Sequence, residues 1–412
     1  QQLKAAMSEE EITSLVEATA LYNQEKADDS AQYVAQLQAV GVSTLPEERR
    51  IYTIQDEMGD DQVRRMHAQA DVSGVGQVLL LLDAAAIPQE DLHWYKLYTD
   101  LLGKLDTKAH DNAALSALLT RYLYQRDIRP TVYTGENRDQ CDPFLRVSWI
   151  AMDEDMPAAY DLVYELLFDT KLDDAAKAAA VLSQIKASLK QMMTDGAYQV
   201  QIYRAFASGS PAFAYFNYLN FLDYYAFLEN VEALFASDPD AALRKLQAVQ
   251  AFLRSYTGAV SAFAGSDDSA KAHRQTADAF LAKLEKTNRE KAVYDLPAIA
   301  PREAIVVDSA VQYNILYAPY KAMGRENSSG DMDALSRLVS DRVLLPQLRE
   351  KYGAYGAEHA ATEDGILLLS FRDPNVKETF DVYAALPEMI ENMQLDQETL
   401  DGFILSAYSA YA

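Results

Sequence analysis

Arg349, Gly353 and Tyr355 are the residues whose types and spacing point most directly to chemistry. They lie in Leu348-Arg349-Glu350-Lys351-Tyr352-Gly353-Ala354-Tyr355-Gly356-Ala357. Arg349 closes a helical pattern, Gly353 allows a sharp backbone turn, and Tyr355 enters a strand-like run. Two hydrogen-bond donors six residues apart therefore meet at one helix-to-strand corner. A guanidinium and a phenol placed there could grip a peptide carbonyl. The same spacing also suits a plainer arrangement, with Arg349 paired to a surface acid and Tyr355 in the core.

The other reactive side chains form no recognisable site. The five histidines are His67, His93, His110, His273 and His359. A helical zinc site needs two imidazoles one turn apart with a carboxylate nearby. No His-x-x-Glu-His or His-Glu-x-x-His occurs, so each histidine reads as a surface or packing residue. There is no Gly-x-Ser-x-Gly elbow and no Walker-type loop. Ser73-Gly74-Val75-Gly76 joins strand to strand and reads as a tight turn. Cys141, the single cysteine, has no sequence context that marks a nucleophile, and alone it forms no intrachain disulfide.

The elements that must position the corner follow from periodicity. Residues 8–40 read as a helical hairpin, with Ser8 and Glu11 as a capping box, a break at Lys26-Ala27-Asp28-Asp29-Ser30, and a second amphipathic stretch through Val40. Residues 62–86 read as a strand hairpin turning at 73–76. Helices are expected over 91–105 and 111–125, strands over 129–133 and 144–151, then helices over 155–168 and 173–194. Strands in pairs and helices in pairs suggest an α+β sandwich rather than a doubly wound sheet. Residues 198–255 are helical and rich in aromatics, which reads as a packed core more readily than a binding wall. A strand near 257–264 precedes a helix over 267–287. Pro297 and Pro301 mark a linker over 288–302. The pattern then restarts, with strands at 304–307 and 311–317, a helix over 331–349, a strand pair at 353–359 and 366–371, and helices over 375–392 and 396–411. The expected division is a connector at 1–46, one α+β module at 47–290 and a second, shorter one at 291–412.

Composition excludes several classes. The 412 residues are 49% hydrophobic and 24% charged, a globular balance. A formal net charge of −25 repels phosphate backbones, so nucleic acid is not an expected partner. No window approaches the roughly 18 apolar residues that cross a bilayer, so no membrane is expected either. The chain opens on Gln1-Gln2-Leu3-Lys4, neither an initiator methionine nor a signal peptide. The expectation is a soluble segment of a longer gene product, in the bacterial cytoplasm or secreted.

The stretch around Arg349, followed by Ser370-Phe371-Arg372-Asp373-Pro374-Asn375, resembles the Arg-x-x-Gly-Gly-Ala-Tyr-Gly and Ser-Tyr-Arg-Asp-Pro-Asn signatures of the presequence proteases of the pitrilysin/insulinase superfamily. "LVEATALYNQEKADDS", "WYKLYTDLLGKLDT", "YTGENR" and "VDSAVQYNILYAPYKAMG" fall in that family's order, so the resemblance spans nearly the whole chain. Tyr352 stands where the family often has a glycine, and Phe371 where it often has a tyrosine. The chain also stops short of the family's usual final helices, so the last module is expected to be truncated.

The resemblance implies a pitrilysin/insulinase-like fold, two similar modules of antiparallel sheet packed with helices and preceded by the hairpin. These would be the third and fourth of the family's four modules. It implies a role as the substrate-enclosing C-terminal half of a zinc metalloendopeptidase that degrades short unstructured peptides. The zinc would be bound by the absent N-terminal half, covalent or separate, and no metal or catalytic residue is expected in this chain, which alone should be inactive. Arg349 and Tyr355 would bind the substrate backbone. The alternative is a stand-alone non-catalytic partner subunit of a two-chain peptidase of the same superfamily.

Overall fold

The computed structural model describes residues 7–34, 41–46, 53–135, 139–325 and 330–410, with side chains left undescribed over 26–34. The chain divides into two compact units, one made of Gln1–Arg49 with Leu395–Ala412 and the other of Arg50–Gln394.

The first unit opens with helix Glu9–Val34. Ser8 and Glu11 form the expected capping box: the Glu11 amide donates to Ser8 Oγ at 3.2 Å, and the Ser8 amide donates to Glu11 Oε2 at 2.8 Å. The break expected at 26–30 is absent, and the helix runs straight through it. That segment holds neither glycine nor proline, so nothing in it forces the backbone out of helical dihedrals. The expected second arm falls largely on residues 35–40, outside the described residues. Helix Gln397–Ser409, capped by Asp396 accepting from the Thr399 amide at 2.8 Å, packs on the short turn Val42–Thr44.

The second unit holds both main sheets. Strands β1 (Ile54–Met58), β2 (Val63–Gln69), β3 (Val75–Asp83), β4 (Tyr124–Tyr133), β5 (Asp142–Met152) and β7 (Ala259–Gly265) form a six-stranded sheet in the order β1-β2-β7-β3-β5-β4. The short β6 (Ser255–Tyr256) pairs apart with β8 (Glu285–Lys286). The expected hairpin at 62–86 is corrected here: β2 and β3 are not neighbours, because β7 lies between them, parallel to β2 and antiparallel to β3. The true hairpin is β1–β2. Gly74, at φ +75°, makes the turn, but Gly76 has another duty. A Cβ there would sit 2.2 Å from the Phe263 ring, so its bareness is what admits β7.

Helices Leu92–Leu101, Met156–Asp169 and Pro239–Leu253 supply much of the large core, including the fully buried Leu97, Tyr98 and Phe168. The aromatic stretch contributes Tyr215 and Tyr224 to the same core. Both are almost completely buried, as the packing reading required.

Strands β9 (Gln312–Pro319), β10 (Gly356–Ala361) and β11 (Gly365–Asp373) form an antiparallel sheet in the order β10-β11-β9. The strand expected at 304–307 does not form, and those residues carry no regular secondary structure. One face of this sheet packs on helix Gly330–Val339, its continuation Ser340–Lys351 and helix Lys377–Glu391. The core there is Val339, Val343, Leu344, Leu348, Ala354, Leu368, Val382, Tyr383 and Leu386. Helix Ala197–Ala207 packs against β9. The fold is thus α+β, with two sheets that are largely antiparallel and many helices. Among the described residues, no helix is long and apolar enough to cross a membrane.

Candidate functional site

The helix that carries Arg349 changes pitch. From Ser340 to Lys351 it is a π-helix and contains Pro346, which has no amide hydrogen to give an α-helical ladder. The wider pitch shows in how the helix ends. The Gly353 amide donates to the Arg349 carbonyl at 3.1 Å and the Ala354 amide to the Leu348 carbonyl at 2.9 Å, each reaching one residue farther back than in a Schellman closure. Gly353 is left-handed at φ +86°, the conformation that glycine adopts without steric penalty. Tyr352 is not, at φ −107°, so a second glycine is not needed there.

The chain then turns onto β10, and the Tyr355 amide donates to the Phe371 carbonyl of β11 at 3.0 Å. Arg349 and Tyr355 come together: the Arg349 guanidinium carbon lies 5.8 Å from the Tyr355 ring centroid. Tyr355 is 65% exposed, so it is not the core residue of the plainer arrangement. Arg349 is also exposed and, among the described residues, forms no ion pair with a surface acid.

One substituent of this corner was not singled out from the sequence. Arg372 lies 5.9 Å from the same Tyr355 ring and 5.6 Å from that of Phe371. It sits in a β-bulge, where the β11–β9 register shifts between Ser370 and Asp373, and its φ is +48°. A left-handed non-glycine residue costs on the order of 1–2 kcal/mol and persists only where its surroundings impose it.

The surroundings here are a buried polar network. Asn314 Nδ2 donates to Ser370 Oγ at 3.0 Å, Asp373 Oδ2 at 3.2 Å and the Asn375 carbonyl at 2.8 Å. Thr379 Oγ1 donates to Asp373 Oδ2 at 2.6 Å, and the Asn375 amide donates to Asp373 Oδ1 at 2.8 Å. Asn375 Nδ2 then donates to the Tyr352 carbonyl at 2.8 Å, tying the bulge to the end of the π-helix. Ser370, Asp373 and Thr379 are completely buried. The Ser-Phe-Arg-Asp-Pro-Asn segment is therefore the bracket of the corner. Phe371 completes it as a hydrophobic stop, edge-on to Tyr198 and Tyr313 with centroids 5.1 Å away in each case.

A cavity of about 340 Å³ is bounded by Arg204, Glu303, residues 312–317 of β9 and Phe380. Neither Arg349 nor Tyr355 lines it.

Three of the five histidines are buried and hydrogen-bonded within the fold. His93 Nε2 meets the Tyr218 carbonyl at 2.8 Å, His359 Nδ1 meets Ser336 Oγ at 2.9 Å, and His273 Nε2 meets Tyr160 Oη at 2.8 Å. Burial lowers the pKa of all three, that of His273 to about 4 with a further contribution from the neighbouring His67. Burial pushes the Cys141 thiol up to about 12, which leaves little thiolate at neutral pH. Among the described residues, no group of three or more His, Cys, Asp or Glu side chains is placed to hold a metal ion.

Residues 1–231 match the family described as Peptidase M16 (subfamily C) associated. The chain is 21% identical over 359 residues to "Protein HypA" of Clostridium perfringens, covering 86% of this chain and 36% of that one. It is 21% identical over 415 residues to "Presequence protease 1, chloroplastic/mitochondrial" of Arabidopsis thaliana, covering 98% and 38%. The chain thus spans little more than a third of the length of these relatives. In fold it is similar to a peptidase M16 inactive domain from Pseudomonas fluorescens, with a TM-score of 0.55, 15% identity, and coverage of 87% of this chain and 85% of that one.

Proposed function

Because the chain belongs to the peptidase M16 subfamily C associated family, we propose that it is the substrate-enclosing C-terminal half of a zinc metalloendopeptidase acting on short unstructured peptides. On this reading, residues 47–290 and 291–412 are the third and fourth of four related modules. Peptidases of this family are zinc enzymes generally. On the same reading, the metal and the base acting on the water belong to an N-terminal half, covalently joined or separate.

The observation that carries the reading is the meeting of Arg349 with an exposed Tyr355 ring at a corner tied to a partly buried hydrogen-bond network. A guanidinium offers five N–H donors in a rigid fork, and a phenol offers one O–H. Together they suit a peptide carbonyl, which accepts in two directions. Bracing matters because donors fixed in advance need no reorganisation when charge develops on that oxygen. A substrate held in register with the scissile bond also reacts with much of its orientational entropy already removed.

The test combines this chain with its zinc-bearing half and follows cleavage of a fluorogenic unstructured peptide. The expected result is turnover by the assembly and none by this chain alone. Arg349→Ala and Tyr355→Phe should each lower turnover by about 10²-fold. Turnover untouched by both substitutions would refute the site, and zinc-dependent cleavage by residues 1–412 alone would refute the division of labour.

A further inference from the structure

We propose that Arg372 is a third substrate-binding group and that, with Arg349, it makes this corner a receptor for a carboxylate of the peptide. The inference rests on the reading of Arg349 and Tyr355 as substrate-facing, and adds a ligand chemistry to it.

Three observations converge. First, Arg349 and Arg372 share one aromatic ring, at 5.8 Å and 5.9 Å from its centroid. Both side chains are exposed, so both are open to a ligand. Second, neither forms an ion pair with a carboxylate among the described residues. This chain carries 62 acidic side chains against 37 basic ones, and arginines such as Arg64, Arg65, Arg146 and Arg204 are each neutralised by an Asp or Glu. Two neighbouring cations without a carboxylate partner among the described residues, on so acidic a chain, are poised for an anion from outside. Third, Arg372 is aimed by a left-handed residue inside a bulge, and bulges of this kind re-aim side chains beside binding sites. A residue whose only task was to cover Phe371 would not need that backbone conformation.

The geometry sets the ligand class. Both guanidinium carbons lie within 6 Å of one phenol ring, so they are separated by no more than roughly three or four residues of extended peptide at about 3.3 Å each. One peptide end can therefore reach both cations, its carboxylate taken by one fork and a backbone carbonyl by the other cation and the Tyr355 hydroxyl. The carboxylate has two sources in a peptide, the free C-terminus and an acidic side chain.

Steady-state kinetics of the assembled peptidase distinguish them. One unstructured peptide is assayed as the free acid, as the C-terminal amide, and with its internal glutamate replaced by glutamine. The variants are Arg372→Ala, Arg372→Lys and Arg372→Gly, the last of which removes the cation while easing the left-handed backbone. Wild type should show a KM roughly tenfold lower for the favoured carboxylate form than for its neutral counterpart. Arg372→Ala and Arg372→Gly should abolish that ratio, and Arg372→Lys should retain part of it. Loss of the acid-to-amide ratio assigns the C-terminus, and loss of the Glu-to-Gln ratio assigns the side chain. If both ratios stay at wild-type values in Arg372→Gly while Arg349→Ala and Tyr355→Phe slow every peptide, the carboxylate receptor is refuted and the peptide-gripping corner stands. If none of these substitutions changes the kinetics, both are refuted.

Discussion

Replacing Asp373 by alanine isolates the bracket from the groups it presents. Asp373 is completely buried and accepts three hydrogen bonds. Asn314 Nδ2 would keep two other acceptors, Ser370 Oγ at 3.0 Å and the Asn375 carbonyl at 2.8 Å. The Asn375 amide has only Asp373, and the Thr379 hydroxyl would be left with a long 3.5 Å contact to the Asn375 carbonyl. The buried Thr379 hydroxyl and the half-buried Asn375 amide thus lose their acceptor, each at about 1–3 kcal/mol, for a total of about 2–6 kcal/mol. Asp373→Asn retains one acceptor oxygen and should cost about half of that. Fluorescence would miss the effect, because Trp94 and Trp149 both sit in the core of the six-stranded sheet. Hydrogen exchange read by mass spectrometry over β9, β10 and β11 is the suitable assay. Protection there should fall by about 30-fold or more in Asp373→Ala, with little change in β3 or β5. A fall of less than about threefold would show that the network does not hold the corner.

Other outcomes follow from the same geometry. Gly353→Ala should lose about 1–2 kcal/mol, measured by urea unfolding. The new Cβ would meet only Pro374 Cγ at 3.9 Å, so the cost is conformational rather than steric. Arg349→Ala and Tyr355→Phe, both at exposed positions, should shift stability by less than about 0.5 kcal/mol, so a large loss of turnover with an unchanged unfolding midpoint separates binding from folding. Leu348→Ala, which empties a fully buried position in the small core, should cost about 2–5 kcal/mol. His273 titrates near 4 in the fold against 6.5 as the ordinary value, so the unfolded chain takes up its proton first. Its contribution is complete above pH 6.5 and is lost progressively as pH falls toward 4, by up to about 3 kcal/mol. His273→Gln should flatten the pH dependence of the urea midpoint across that window, and an unchanged slope would refute the assignment.

Much of the architecture was legible in the sequence because the signals are local. The capping box at Ser8, the strand near 257–264 and the helix over 331–349 each depend on neighbours a few residues apart. The same holds for the corner, where Gly353 had to reverse the chain between a helix and a strand, and Arg349 and Tyr355 did meet. One local reading failed, because helix Glu9–Val34 continued through a polar segment that contained no breaker. The rest of what escaped the sequence joins distant residues. The insertion of β7 between β2 and β3 depends on Phe263 lying over Gly76, nearly two hundred residues earlier. Arg372 looked like one residue of a motif until the bulge turned it over Tyr355. Asn314 carried no signal, because its partners Ser370, Asp373 and Asn375 stand about sixty residues away. Periodicity fixes which face of an element is apolar, but pairing between elements is a long-range choice governed by shape, buried polar satisfaction and loop closure. Residue types and the existence of most elements were therefore written in the chain, while strand order and the aim of the second arginine were decided only when the parts packed together.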